Sequence, residues 1–193
     1  MEQAASLKTL VDRMAIMDCL TRYARGVDRF DRALVLSAYH PDAIDDHGDF
    51  VGSPEEFVEW AFDLHEKGQI STQHNLTNHS CDIDGDTAHT ETYYTFNARN
   101  IDESLWIAGG RYIDRLERRE GEWRIANRYC VIEWSGTIAE GPIPFQDIPD
   151  VHVSGVPGRN RNDPSYARPL VNKRGLRFNR PVSELRDEVR DQE

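Results

Sequence analysis

An α+β fold is predicted, with helices first and an antiparallel sheet after them curling around the helices on one face. Two observations carry this. Through Gly68 apolar residues recur at helical spacing behind clear helix starts, and from Gln69 onward the period changes to two in four long segments separated by turn signals. A third observation sets the C-terminus apart: seven of the nine prolines fall at 142, 144, 149, 157, 164, 169 and 181. A chain of 193 residues with 38% hydrophobic residues is long enough for one core and short for two. The expected division is therefore a globular domain at 1–138 and a Pro-rich extension at 139–193.

Thr9 through Asp12 form a capping-box pattern, and Leu10, Met14, Met17, Leu20, Ala24 and Val27 then recur near helical spacing, which predicts the first helix. Gly26 weakens its end and lets the chain turn at Asp28. A short second helix fits Asp31 to Tyr39, stopped by His40-Pro41, and 43–46 reads as a short strand. Ser53-Pro54-Glu55-Glu56 supplies a cap, a Pro at the first helical position and a Glu at the third, so a third helix follows, burying Phe57, Trp60, Ala61 and Leu64 and ending at Gly68. The four strands fall at 72–83, 87–99, 105–118 and 123–134, joined by Asp84-Gly85, by residues 100–104 and by residues 119–122. Gly109-Gly110 in mid-strand permits the bulge that a curled sheet needs. In the tail, Phe145, Ile148, Val151, Val153, Tyr166, Leu170 and Phe178 are apolar anchors for docking on its own or a neighbouring subunit, and 182–190 fits a short amphipathic helix.

The formal charge of −11, with no run of Lys or Arg, argues against nucleic acid or an anionic membrane as partner. An apolar or aromatic small molecule fits better. Cys19, Cys81 and Cys130 are odd in number and far apart, which indicates buried thiols rather than disulfides or a zinc site. No stretch has the apolar length of a membrane span or signal peptide, so a cytoplasmic location is expected. No dinucleotide, P-loop or nucleophile-elbow pattern stands in its proper context, and no cofactor is expected. Residues 45–49, Asp-Asp-His-Gly-Asp, carry possible metal ligands, but carboxylates clustered in a polar turn are usually solvated, and the expected metal is none. Residues 82–86 start like a calcium loop yet lack its Gly and its bidentate Glu, and read as a hairpin.

On the first strand His74, Leu76, Asn78 and Ser80 share one face, while the other face is polar too. A strand polar on both faces suits the wall of a cavity better than a filled core. A lone histidine is more often a hydrogen-bonded sheet residue than a catalyst. Asp28, at a helix end facing the open side of such a cup, changes that balance, because a carboxylate beside an imidazole fixes its tautomer and raises its basicity. Arg128 sits among Ala126, Cys130, Ile132 and Trp134, where an arginine needs either a ligand or a structural acidic partner such as Asp28 or a glutamate. Tyr23 lies five residues before Asp28, which places the two roughly 140° apart on an unbroken helix.

The runs Asp12-Arg-Met-Ala-Ile-Met-Asp-Cys-Leu-Thr-Arg-Tyr23, Val27-Asp28, Tyr39-His-Pro-Asp-Ala43, Asp46-His-Gly48, Thr72-Gln-His74 and Trp123-Arg-Ile-Ala-Asn-Arg128 resemble the SnoaL-like branch of the NTF2-like superfamily. That group includes scytalone dehydratase, bile-acid 7α-dehydratase and hexachlorocyclohexane dehydrochlorinase. The resemblance covers about residues 7–134. It implies a cone-shaped α+β barrel with a deep apolar pocket, in which Asp28 and His74 form a proton-abstracting dyad and Tyr23 and Arg128 join them as catalytic residues. It also implies a homo-oligomer, dimer or trimer. Where several dehydratases place a further acid or histidine, this chain offers Asn97 or Arg99, so the general acid stays unassigned. The expected activity is that of a cofactor-independent lyase acting on a hydroxylated aromatic or polycyclic molecule, in aromatic compound catabolism. Dehydration is the first choice; deformylating C–C cleavage, dehydrohalogenation and isomerisation stay open. Asn78, Tyr94, Phe96, Trp106, Tyr112 and Trp60 are the expected substrate contacts. The alternative is a non-catalytic structural subunit, like the small subunit of ring-hydroxylating dioxygenases, or a binding adaptor.

Overall fold

The computed structural model describes residues 2–139, 141 and 148–175, with the backbone alone for 2–6. The chain forms two compact units, Met1–Ala139 and Glu140–Glu193. In the first, α1 (Glu2–Asp28) and α2 (Arg32–Leu36) are followed by β1 (Tyr39–Asp46), β2 (Val51–Gly52), α3 (Pro54–Gly68), β3 (Gln69–Asp84), β4 (Thr87–Asn100), β5 (Leu105–Arg119) and β6 (Glu122–Ile138). The helices precede one six-stranded sheet of order β2-β1-β6-β5-β4-β3, curved but not closed, the cone of the NTF2-like fold. The sheet is mixed rather than purely antiparallel, because β1 enters parallel to β6.

The start of α3 forms as its residues dictate: the Ser53 side chain accepts from Glu56 N, the Glu56 carboxylate accepts from Ser53 N at 2.9 Å, and Pro54 stands at the first turn. Helix α1 begins at Glu2, well before the Thr9 start that capping predicts, and its buried side differs from the expected stripe. Ile16, Cys19, Leu20, Tyr23, Ala24 and Val27 enter the core, whereas Leu10 and Met14 are 55% and 62% exposed. At that end of the helix Asp12 turns inward, because two donors from the sheet meet it: Trp123 Nε1 and Arg118 Nη1, each 3.0 Å from Oδ1. The helix runs through Gly26 and ends at Asp28. A Cβ on Gly26 would lie 2.7 Å from Val35 Cγ2, so its missing side chain lets α2 pack directly on α1.

The β5–β6 register shifts by one residue at Gly109 and Gly110, and again between Arg115 and Leu116. A Cβ on Gly110 would sit 1.9 Å from the Val131 carbonyl oxygen, and one on Gly109 would run into the Trp134 ring. A further bulge lies in β3: Leu76 pairs with Tyr94 but His79 pairs with Thr92, leaving two residues opposite one. Past that point the faces of β3 exchange. His79 and Cys81, not Asn78 and Ser80, then turn inward, with His79 Nδ1 2.8 Å from the Thr92 hydroxyl.

In the second unit the described residues include a 3₁₀ turn, Pro164–Tyr166, whose cap Asp163 accepts from Ser165 N and Gly158 N, each at 2.9 Å. The helix expected at 182–190 and the anchors Phe145 and Phe178 lie outside the described residues. No helix among the described residues is long and apolar enough to cross a membrane.

Candidate active site

A cavity of about 270 Å³ opens between α1, α3 and the concave face of the sheet. Its wall is rich in aromatic rings. Trp60, Tyr94, Phe96, Trp106 and Tyr112, five of the six expected substrate contacts, line it, with Tyr94 and Tyr112 stacked at 4.4 Å between ring centroids. Asn78 does not. It falls in the β3 bulge and points to solvent, which corrects the assignment made from strict alternation.

His74 reaches the cavity from β3, its ring packed on Phe96 and edge-on to His65 of α3. The end of α1 brings Asp28 behind it. His74 Nδ1–H donates to Asp28 Oδ1 at 2.7 Å, and His74 N donates to Asp28 Oδ2 at 2.9 Å. The second bond ties strand to helix, so the ring is held by two anchors on one carboxylate. In the neutral ring, with Nδ1–H committed there, Nε2 carries the lone pair. Burial alone would raise the Asp28 carboxyl, but the ring bond, the charge and the backbone bond of His74 outweigh it and hold the group below the usual carboxylate range. Asp28 itself lines an outer groove between α1 and β3, and His74 forms the partition between that groove and the cavity.

Tyr23 lines the cavity while Asp28 acts from the far side of the helix end, so the roughly 140° between them places them on different sides of His74's wall. Burial pushes the Tyr23 phenol far above its ordinary value, which keeps it a neutral hydroxyl.

Arg128 lies outside the cavity wall. It is 0% exposed, with Nε and Nη2 donating to the two oxygens of Asp114 at 2.7 and 2.8 Å. Its guanidinium lies 4.0 Å from the Tyr23 ring centroid and 4.2 Å from that of Tyr112. The catalytic role expected of it gives way to the structural ion pair: Asp114 faces Arg128 across the β5–β6 ladder, and the pair forms the floor on which the cavity tyrosines rest.

Sequence reasoning missed a second imidazole in the wall. His47 follows β1, where residues 45–49 read as a solvated turn, yet Asp45 is 0% exposed and His47 lines the cavity. His47 Nδ1–H donates to Asp45 Oδ1 at 2.5 Å, Tyr39 Oη–H donates to Asp45 Oδ2 at 2.5 Å, and the Tyr23 hydroxyl lies 3.4 Å from His47 Nε2. Burial opposes the charged imidazole, but the Asp45 charge and hydrogen bond win, raising His47 to about 9. The signal was Ala43: two residues before Asp45, it marks the inward face of β1, while Ile44 between them is exposed. Among the described residues no group of three His, Cys, Asp or Glu is arranged to hold a metal ion.

Residues 8–129 match the SnoaL-like domain family. No curated protein matches the sequence. Among solved structures, a hexachlorocyclohexane dehydrochlorinase of Novosphingobium barchaimii is similar at 19% identity and a TM-score of 0.66, over 72% of this chain and 99% of that one. A Novosphingobium aromaticivorans protein assigned by name to scytalone dehydratase is similar at 16% identity and 0.62, over 70% and 93%. At these identities the likeness is one of fold. Because the matched segment spans most of the first unit and carries the same curved sheet and helices, the chain belongs to the SnoaL-like domain family.

Proposed function

We propose that the protein is a cofactor-independent lyase that removes a proton from a carbon next to a carbonyl in a hydroxylated aromatic or polycyclic molecule, with loss of water. The observation that carries this reading is the Asp28–His74 pair at the wall of an aromatic cavity. His74 Nε2 takes the proton, Asp28 stabilises the imidazolium that forms, and the apolar surroundings strengthen both interactions by excluding water. Tyr23, a neutral hydroxyl in the same wall, donates to developing oxyanion charge in this reading. Arg128 acts as a positioning residue, through the tyrosine rings it supports. An open cavity, rather than one filled by its own side chains, favours this over a structural subunit or adaptor, and the members of the fold named above for dehydrochlorination and dehydration point the same way.

The test is conversion of 4-hydroxy-4-phenylbutan-2-one to its conjugated enone, followed by absorbance. Wild-type protein should convert it, and His74→Ala should lose about a hundredfold or more of the rate while keeping its fold. Conversion undiminished by His74→Ala rejects the dyad.

A further inference from the structure

We propose that His47, held by Asp45, is the proton donor of this site, protonating the oxygen that leaves while His74 removes the proton from carbon. The inference rests on the reading of His74 as base and supplies its missing partner. His47 and His74 come from opposite edges of the sheet, in the order β2-β1-β6-β5-β4-β3, and because that sheet is curved they face one cavity from two walls. A molecule in the cavity lies between two carboxylate-bound imidazoles.

Charge separates their roles. Behind His47 stand two fully enclosed carboxylates, Asp45 and Asp114, and one fully enclosed guanidinium, Arg128. Arg128 stands beside Asp45 in the β1–β6 pairing but spends two of its donors on Asp114, and its hydrogen bond on the Asp45 side goes to the Tyr39 hydroxyl at 3.4 Å. Asp28 borders the outer groove in the company of Arg25 and Arg29, whereas Asp45 is fully enclosed; a buried carboxylate left without a cation is costly, and the group in contact with Asp45 that can supply one is His47. The remaining titratable groups facing His47 are the phenols of Tyr23 and Tyr112 and the thiol of Cys130, from α1, β5 and β6; Phe57 and Trp60 of α3 complete its surroundings. The raised affinity of His47 for its proton agrees with this count.

Geometry leaves that proton deliverable. Nδ1–H is bound to Asp45, whereas Nε2–H faces the Tyr23 oxygen at 3.4 Å and the Cys130 thiol, a long contact and a weak acceptor that a carbonyl or hydroxyl oxygen in the cavity can replace. The step balances. The C–H pair becomes the new C=C bond as His74 Nε2 takes the proton; the C–O bond breaks with its pair going to oxygen; and the hydroxyl leaves as water with the proton from His47 Nε2. His74 ends protonated and His47 neutral. His74 also borders the outer groove, which gives its proton a way to solvent.

The experiment compares 4-hydroxy-4-phenylbutan-2-one with its acetate ester, which yields the same enone but releases acetate, a leaving group that needs no proton. His47→Gln should slow the alcohol by about a hundredfold or more and the ester by less than about tenfold, because general acid catalysis is withdrawn from one leaving group only. Equal losses on both, or no loss on the alcohol, overturn the assignment. Failure of the underlying base reading looks different, since His74→Ala would then leave the ester's conversion at the wild-type rate. Nitrogen-15 NMR of the unaltered protein is an independent check: a His47 ring carrying protons on both nitrogens at neutral pH is expected, and a singly protonated ring overturns the proposal.

Discussion

Asp28 holds His74 twice, through the ring at 2.7 Å and through the backbone N–H at 2.9 Å. One carboxylate therefore sets both the tautomer of the imidazole and the position of the strand that carries it. Asp28→Asn keeps the shape but loses the charge that stabilises the imidazolium, and should lower the rate by about a hundredfold or more with the fold intact. Steady-state rates beside a circular dichroism spectrum check this; a rate within about threefold of wild type would contradict it.

Arg128 and Asp114 are both 0% exposed and bonded through two parallel contacts. Removing one member leaves the other as an uncompensated buried charge, so Arg128→Met or Asp114→Asn should each destabilise the fold by about 3–5 kcal/mol in urea unfolding. Arg128→Lys should also be poorly tolerated, because an ammonium cannot reproduce the fork.

His47 gives stability a defined pH dependence. Its affinity for a proton is raised on folding to about 9, so its contribution is present in full below the unfolded value of about 6.5 and is lost as pH rises through about 9. The loss is on the order of 3 kcal/mol. Unfolding measured across that window should slope downward in wild type and be markedly flatter in His47→Gln, a comparison that subtracts the tyrosines and cysteines titrating nearby.

Gly110→Ala would place a methyl 1.9 Å from the Val131 carbonyl oxygen, which is backbone and cannot step aside cheaply. The substitution should cost about 1–3 kcal/mol or more in thermal or urea unfolding by straining the backbone at the register shift.

How far the sequence could be read follows from what each feature depends on. The start of α3 was legible because Ser53, Pro54 and Glu56 act on their own backbone, and the hairpin turns because glycines such as Gly85 and Gly121 adopt positive φ locally. Asp28 and His74 were legible as a pair because helix end and strand face follow from periodicity together with the family pattern. The bulge between Leu76 and His79 was not, since it is a property of the pairing with β4, and it carried Asn78 out of the expected wall. Asp45 and His47 were hidden for a related reason: a carboxylate in a polar run is read as solvated until its partners Tyr39 and His47 are known. Arg128 showed its need for a partner, but only cross-strand register names Asp114.

The most direct measurement of whether His74 takes protons from carbon separates that step from any leaving group. 2-Tetralone, an aryl-fused ketone without one, would be incubated with the protein in deuterium oxide and its α-protons followed by NMR. Exchange is predicted to be accelerated by wild-type protein and abolished in His74→Ala. Equal exchange with the two proteins would contradict the assignment of His74 as the base.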